Sequence, residues 1–409
     1  MSPAVAGDRR ERDQAPATGG DTISQAGERR STRVESLRAV AALAVLWDHA
    51  FVFTFVFGAT AAERLNPNAF DRLMAGTHYA VFLFFALTGY LLFWPFAKER
   101  FGSGSSVALG RYALNRAVRI LPLYLVAVVL LLLLQEGGGS GEQWWRFTTM
   151  SQDFSLHTAE TVDGPMWSLV VEVHFYILLP LIAYAIGMVS GRSVRRGMLV
   201  LLAIGGLALV VRYREFLLPA HPSDVWKLSL PVTFWFFVPG MILALVRLSW
   251  QEQRPQWLKG MLARSDLWIL AAVAVWAIVA LQSHVTKLDP LIGIAAFLIV
   301  GACVLPLDDG VATRALHWRP LAVLGVASYS LYIWHVPILR FMIDHIDATH
   351  SFVRVMLVAV PVMVVVALVS YHVVEAPFLR LRRQWSRSSA PQEQPPVAAA
   401  EPAGAGLGE

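Results

Sequence analysis

Five ionisable residues lie in the stretch "RVESLRAVAALAVLWDHA" at residues 33–50, and three of them, Arg38, Asp48 and His49, lie within its apolar part. Arg38 and His49 are eleven positions apart. Because an α-helix turns about 100° per residue, both side chains would face the same side, roughly 16 Å apart along the axis. An imidazole can accept a proton from a hydroxyl near neutral pH, and a guanidinium can bind a phosphate. Asp48 is rotated about 100° from His49, and the sequence assigns it no role.

The alternatives to a catalytic role differ between Arg38 and His49. Arg38 lies near the start of the apolar stretch, where a long basic side chain can simply extend to the membrane surface. His49 lies near the predicted middle of the membrane, where ionisable groups are usually functional and a buried hydrogen-bonding role is the alternative. His49 is therefore the stronger candidate.

Two arginines one turn apart, Arg116 and Arg119 in "NRAVRILPLY", form a second candidate site. Guanidinium groups at this spacing can hold a phosphate between them. The same residues are also expected if they only anchor a helix on the cytoplasmic side of a membrane. Spacing alone leaves both interpretations open.

A third group of polar residues lies within the apolar runs "FFALTGYLLF", "GPMWSLVVEVHFYILLP" and "GVASYSLYIWHVPIL". A carboxylate such as that of Glu172 needs a partner or a water-filled cavity inside a membrane. Tyr332 and His335 are three positions apart and therefore share a helix face. The alternatives are close helix packing around Thr88 and Gly89 and, for the tyrosines, an aromatic belt at the membrane interface.

Membrane-spanning helices are the elements that must position these residues. Hydrophobic residues make up 56% of the 409-residue chain and charged residues 15%, with a mean hydropathy of +0.53, whereas soluble domains carry about 25% charged residues. A spanning helix needs about 20 mostly apolar residues. The predicted fold class is all-α, a polytopic membrane protein with about ten transmembrane helices. The predicted spans are residues 36–57, 79–97, 114–134, 167–188, 198–212, 228–247, 266–283, 288–305, 319–341 and 353–375.

The distribution of Lys and Arg predicts the orientation, because cytoplasmic loops are enriched in both. With a cytoplasmic N-terminus, the segments on that side hold 24 of the 34 Lys and Arg residues, and the opposite loops hold 9. Arg38, inside the first predicted span, is the remaining one. We therefore predict that both termini are cytoplasmic. The polar segment 1–34 and the Pro/Ala/Gly-rich segment 381–409 are predicted to be disordered tails of a membrane domain at 35–380.

Charge and cysteine content exclude several classes of function. The net charge of +5 is spread over short loops, so we predict no nucleic-acid partner. Cys303 is the one cysteine, which excludes a disulfide within the chain and a thiolate metal cluster, and we predict no metal. Two imidazoles, a carboxylate and several arginines suit acyl transfer from a phosphorylated carrier to a hydroxyl. They also suit proton-coupled transport.

Six motifs, in this order, resemble those of the acyltransferase-3 family of integral-membrane O-acyltransferases, which includes bacterial O-antigen and peptidoglycan acetylases and macrolide acylases. They are "ESLR" with the later "DHA", "FFALTG", "RAVRILPLY", "WSLVVEVHFY", "SYSLYIWH" and "SYHVVEAPF". The chain departs from the usual motifs at Glu35 and Thr88, where Asp and Ser are usual. It also departs at Asn115, in place of the first of two arginines, and at Val173, in place of a second acid.

The resemblance implies a membrane enzyme that transfers an acyl group, most often acetyl, from cytoplasmic acyl-CoA to a hydroxyl of a glycan or of a small secondary metabolite. It also implies a multi-pass protein of the bacterial cytoplasmic membrane, with the lipid bilayer as its surroundings. A proton-coupled transporter or flippase of glycans is the alternative. We expect His49 to be the general base, or to be acylated first and pass the group on, and Glu172 and His335 to orient the acceptor. The assigned residues are His49, Arg38, Glu172 and His335 for catalysis, Arg116 and Arg119 for acyl-CoA, and Trp167, Ser168, Tyr329, Tyr332 and Thr88 for the substrate.

Overall fold

The computed structural model describes residues 19–58, 67–217, 228–250, 254–282, 288–345 and 352–388. Within these ranges the chain forms helices and no strand, and one β-bridge joins Arg264 to Asp308. The α-helices are α1 (Gly19–Gly58), α2 (Ala69–Ala75), α3 (Ala80–Phe101), α4 (Leu109–Leu134), α5 (Gly141–Thr148), α6 (Trp167–Ser190), α7 (Val194–Leu217), α8 (Leu230–Thr233), α9 (Val238–Trp250), α10 (Ser265–Leu281), α11 (Pro290–Val304), α12 (Val311–Ala315), α13 (Arg319–Val326), α14 (Ser328–His345), α15 (Phe352–Ser370) and α16 (Ala376–Ser388).

The helices confirm an all-α polytopic membrane protein. Among the described residues, six helical segments are long and apolar enough to cross a membrane, and the number rises to eight if two bent pairs each count as one span. One pair joins residues 230–236 to α9 at 41°, and the other joins α13 to α14 at 73°. Helices α10 and α11 are apolar but shorter. Each of the ten predicted spans coincides with one of these helices or pairs, and their number as membrane crossings stays a prediction.

Helices extend into parts of both predicted tails, and the predicted domain boundaries stay a prediction. Helix α1 begins at Gly19, so residues 19–34 extend the first apolar helix instead of forming part of a disordered tail. Helix α16 likewise continues beyond residue 380 to Ser388. A helix that has already formed is extended at little further cost, so polar residues can continue an apolar span. Residues 1–18 and 389–409 lie outside the described residues.

Close packing of α3 against α9 forms the centre of the molecule. A methyl group on Gly240 would overlap the Ala86 carbonyl oxygen, and one on Gly89 would overlap the Phe237 carbonyl oxygen. The two backbones therefore lie so close together that only glycine fits at these two contacts. For Gly89, the structure supports the packing alternative raised for "FFALTG".

Aromatic side chains fill the space around this crossing. The ring centroids of Phe82 and Phe236 lie 3.6 Å apart, and Phe237 stacks on Phe85 at 4.6 Å and on Phe175 at 4.1 Å. Helices α4, α6, α7 and α15 instead expose large apolar side chains on their outer faces. An apolar exterior around a packed aromatic centre is what a lipid environment favours.

Candidate active site

Three arginines reach one cavity, which we call the arginine chamber. Arg38 reaches it from α1, and Arg116 and Arg119 reach it from α4. The other polar residues that line it are Thr88, Ser168, Glu172, Tyr176, Ser328, Tyr329 and Tyr332. Helices α1, α3, α4, α6 and α14 thus bring the predicted cationic residues together.

The arginines differ in how many partners they have. The Arg38 Nε donates to Ser328 Oγ at 3.3 Å and lies 3.7 Å from Glu35 Oε2. The Nε of Arg116 is buried and has no hydrogen-bond partner among the described residues. An unpaired, buried guanidinium N–H is costly, so Arg116 is available to an anionic ligand.

Arg119 is held by a buried carboxylate on a π-helical turn, Tyr371–Glu375. The Glu375 Oε2 lies 3.4 Å from Arg119 Nη1, and Ser330 Oγ donates to Glu375 Oε1 at 2.5 Å. Arg119 also donates to the Val326 carbonyl oxygen at 3.4 Å. A π-helical turn often marks a functional region, and here it directs an acid at an arginine of the chamber.

Glu172 lies in the arginine chamber and not beside His49. Its Oε1 accepts from Thr88 Oγ1 at 3.1 Å, and its Oε2 accepts from the Tyr176 hydroxyl at 2.8 Å. This position does not fit the expected role of orienting the acceptor at His49. The carboxylate instead offsets the positive charge of the arginines.

A second cavity contains His49, and we call it the histidine chamber. Its polar lining consists of His49 and Asp48 from α1, His78, Glu160, Trp167, Tyr332 and Arg340. The segment between α5 and α6 supplies Glu160, and α14 supplies Arg340. The imidazole of His49 therefore faces an open cavity lined by protein side chains.

Hydrogen-bond partners determine which nitrogen of each neutral imidazole carries the proton. The His335 Nδ1 lies 2.6 Å from the Tyr332 carbonyl oxygen, so Nδ1 donates and Nε2 is left as an acceptor. The His49 Nδ1 lies 2.9 Å from the Val45 carbonyl oxygen and 3.3 Å from His335 Nε2. Both of these partners accept, so His49 Nδ1 carries the proton. The His49 Nε2 consequently keeps a free lone pair.

The two histidines also differ in exposure. The side chain of His49 is 27% exposed, whereas His335 as a whole is 1% exposed. His49 is therefore the imidazole that a substrate can reach. His335 contacts it from behind and fixes the orientation of its ring.

Tyr332 lies between the two chambers and lines both of them. Its hydroxyl lies 2.7 Å from Ser168 Oγ and donates to the Pro165 carbonyl oxygen at 3.0 Å. The neighbouring Tyr329 donates to the Ile120 carbonyl oxygen at 2.9 Å and lines only the arginine chamber. The Tyr332–Ser168 pair thus separates the arginines from His49.

Ten of the eleven residues predicted from the sequence line one of the two chambers, and His335 contacts His49. Tyr176 was not predicted, although it lies four positions after Glu172, a spacing typical of neighbours on a helix. His78, Glu160 and Arg340 were not predicted either, because no local pattern connects them to His49. Among the described residues, no group of three His, Cys, Asp or Glu side chains could hold a metal ion.

Comparison with known proteins identifies relatives of the whole membrane region. The family model described as "Acyltransferase domain" matches residues 32–372. The O-acetyltransferase OatA of Staphylococcus aureus is 23% identical over 333 residues, which cover 74% of this chain and 53% of that protein. The peptidoglycan O-acetyltransferase OatA of Listeria monocytogenes is 21% identical over 368 residues, covering 84% and 55%. The putative peptidoglycan O-acetyltransferase YrhL of Bacillus subtilis is 25% identical over 341 residues, covering 76% and 52%.

The match to these relatives is partial in length. The chain spans about half the length of the curated relatives it matches. No solved structure matches the chain.

Proposed function

Because the chain belongs to the acyltransferase domain family, we propose that it transfers an acyl group, in the first place acetyl, from acyl-CoA to a hydroxyl of a cell-envelope glycan. The observation that carries the proposal is the partly exposed His49 imidazole in a chamber that shares Tyr332 with the chamber of three arginines. The names of the relatives, two of which include peptidoglycan, support a glycan acceptor.

The arginine chamber is the proposed site of the donor. Coenzyme A carries several phosphate groups, and guanidinium groups bind phosphate through paired hydrogen bonds. The Arg116 Nε has no hydrogen-bond partner among the described residues, whereas Arg38 and Arg119 each lie near an acid. The predicted orientation places this chamber toward the cytoplasm, where acyl-CoA occurs.

The histidine chamber is the proposed site of transfer. The thioester passes the Tyr332–Ser168 pair to reach His49. His49 Nε2 accepts the proton of the acceptor hydroxyl, the hydroxyl oxygen forms a bond to the thioester carbonyl carbon, and the carbon–sulfur bond breaks. The proton then passes from His49 to the departing thiolate, so the products are the acyl ester and free coenzyme A. Acylation of His49 before transfer gives the same products by two steps.

His335 is a positioning residue in this scheme. Its Nε2 accepts from His49 Nδ1 at 3.3 Å and stabilises the ring when His49 becomes positively charged. Glu172 belongs to the donor site, where it limits the positive charge that the arginines accumulate. The setting that we propose for both chambers is the bacterial cytoplasmic membrane, with transfer toward its outer face.

The test is acceptor-dependent release of free thiol from acetyl-CoA by membranes that contain the protein. We expect His49→Ala to lower the rate by about 10²–10⁴-fold, the usual contribution of a general base. His174→Ala is the matched control, since His174 lies on α6 but lines neither chamber. Normal thiol release by His49→Ala would refute the assignment of the base. Glycan movement without thiol release would instead support a transporter.

A further inference from the structure

Arg340 is a charged residue of the histidine chamber that the proposed mechanism does not use. It follows Val336 by one helical turn on α14, and both side chains line the chamber. His335, the residue that contacts His49, is on the same helix. Arg340 therefore lies about 7.5 Å beyond His335 along the helix axis.

The Arg340 guanidinium is exposed, and it forms no hydrogen bond or ion pair with any residue that the structure describes. Three acids lie around it: Asp48 and Glu160 line the same chamber, and the charge of Arg340 acts on Asp163. Asp163 is buried, and neither of its carboxyl oxygens has a hydrogen-bond partner among the described residues. The guanidinium is therefore near acids but is not engaged by them.

Membrane anchoring does not account for this arginine. The predicted orientation places Arg340 on the non-cytoplasmic side, which holds 9 of the 34 Lys and Arg residues. Basic residues are enriched on the cytoplasmic side and not on this one. An arginine that has no partner among the described residues, and that lines a cavity on the side with fewer basic residues, indicates a ligand.

We propose that Arg340 binds an anionic group, a carboxylate or a phosphate, of the acceptor sugar whose hydroxyl is presented to His49. This inference rests on the proposed function. The planar guanidinium matches both anions with two parallel hydrogen bonds. The rise of about 7.5 Å along the helix axis from His335 to Arg340 leaves room in the chamber for a sugar ring between His49 and the guanidinium.

Other residues of the chamber suit the rest of a sugar. Trp167 presents an aromatic ring in the same chamber, and such rings provide apolar surface with little loss of side-chain entropy. Asp48 and Glu160 place carboxylates there that accept hydrogen bonds from hydroxyl and amide groups. Arg340 is thus the cation that determines specificity, among carboxylates that accept hydrogen bonds.

Binding to the full-length protein in detergent tests the proposal without requiring turnover. The probes are N-acetylmuramic acid, its uncharged methyl ester, N-acetylglucosamine 1-phosphate and N-acetylglucosamine, each titrated against the thermal unfolding temperature. We expect an anionic sugar to stabilise the protein more than its neutral counterpart. The anionic sugar that stabilises the protein more shows whether the site prefers a carboxylate or a phosphate. Arg340→Gln should weaken that apparent affinity at least about tenfold, as expected when a charged hydrogen bond is lost.

Two variants keep this test separate from that of the proposed function. Arg146→Gln removes one positive charge on the same predicted side of the membrane. Arg146 lines neither chamber, so this variant should bind the sugars like the wild type. His49→Ala should keep the preference for the anionic sugar although it loses thiol release. Equal or absent stabilisation by charged and neutral sugars would overturn the role of Arg340. Retained thiol release in His49→Ala would overturn only the proposed mechanism.

Discussion

At the scale of single residues, hydrogen-bond partners rather than residue type assign the roles. Two histidines lie in contact, but one is exposed to a cavity with a free Nε2 and the other is enclosed. Similarly, three arginines line one chamber, but the Arg116 Nε has no partner among the residues that the structure describes, whereas Arg119 is paired with Glu375. The accessible imidazole and Arg116 are the groups that we propose to meet the substrates.

The proposed donor site predicts the behaviour of a double variant, Arg116→Gln with Arg119→Gln. Loss of two charged contacts to phosphate should raise the KM for acetyl-CoA about tenfold or more, with a smaller change in kcat, because the contacts are remote from the reacting atoms. Steady-state thiol release at varied acetyl-CoA measures both constants. Arg195→Gln with Arg196→Gln, an exposed pair outside both chambers, is the control. An unchanged KM would contradict phosphate binding at this site.

At the scale of elements, the chambers depend on how closely α3 and α9 approach, since α3 carries Thr88 and lines both cavities through Val81. The backbone contacts at Gly89 and Gly240 set that approach. The segment between α4 and α6 is the second critical element, because it closes the histidine chamber with Glu160 and Gly164.

Gly240→Ala should destabilise the protein, because the added methyl group would overlap the Ala86 carbonyl oxygen and force the helices apart. Overpacking of this kind costs about 1–3 kcal/mol. Thermal unfolding in detergent should show a lower midpoint. Gly206→Ala on α7 is the matched control, since nothing lies within 4 Å of the new methyl group and helix propensity favours alanine. Equal midpoints for the two variants would show that the contact is not tight.

Two buried acids of the segment between α4 and α6 predict the pH dependence of stability. Burial raises the pKa of Asp153 to about 8 and that of Asp163 to about 7, whereas an unfolded Asp titrates near 3.9. The folded state therefore binds more protons between about pH 4 and these values. The contribution of both acids to the free energy of unfolding consequently falls as pH rises through that window.

Asp163→Asn should therefore be more stable than the wild type at pH 8 and differ little from it at pH 4. The amide matches the neutral acid in shape and carries no charge to bury. Thermal unfolding of both proteins from pH 4 to pH 8.5 measures the difference. A variant less stable than the wild type at pH 8 would mean that the ionised carboxylate has a partner that stabilises the fold.

At the scale of the whole molecule, the distribution of charge and of apolar surface describes how the protein lies in a membrane. Apolar side chains face outward on α4, α6, α7 and α15. The predicted orientation puts the arginine chamber toward the cytoplasm and the histidine chamber toward the outside. A donor and an acceptor could then enter from opposite sides and meet at Tyr332.

Single-cysteine labelling in intact cells tests that orientation. Cys303 is buried and should not react. A cysteine at Leu156, which is exposed between α5 and α6, should react with a membrane-impermeant maleimide added outside. A cysteine at Val311, which is also exposed, should react only after the cells are permeabilised. The reverse pattern would invert the predicted orientation.

The sequence by itself determined the fold class and most residues of the site. Long apolar runs interrupted by few charges can satisfy their backbone groups in lipid only as helices, and ionisable residues inside such runs are too costly to be incidental. The motifs shared with the family then selected the residues that line the chambers. The helical ends of the two tails were missed because polar residues that continue an existing helix carry no apolar signal.

Only the tertiary structure decided which of these residues act together. His49 and His335 are 286 positions apart, and Glu172 meets Thr88 across 84 positions. Helical periodicity relates residues within one helix, whereas contacts between helices depend on packing, such as the backbone approach at Gly240. For this reason Glu172 was assigned to the acceptor from the sequence but lies with the arginines. Arg340 and His78, which no motif connects to His49, share its chamber because of the same packing.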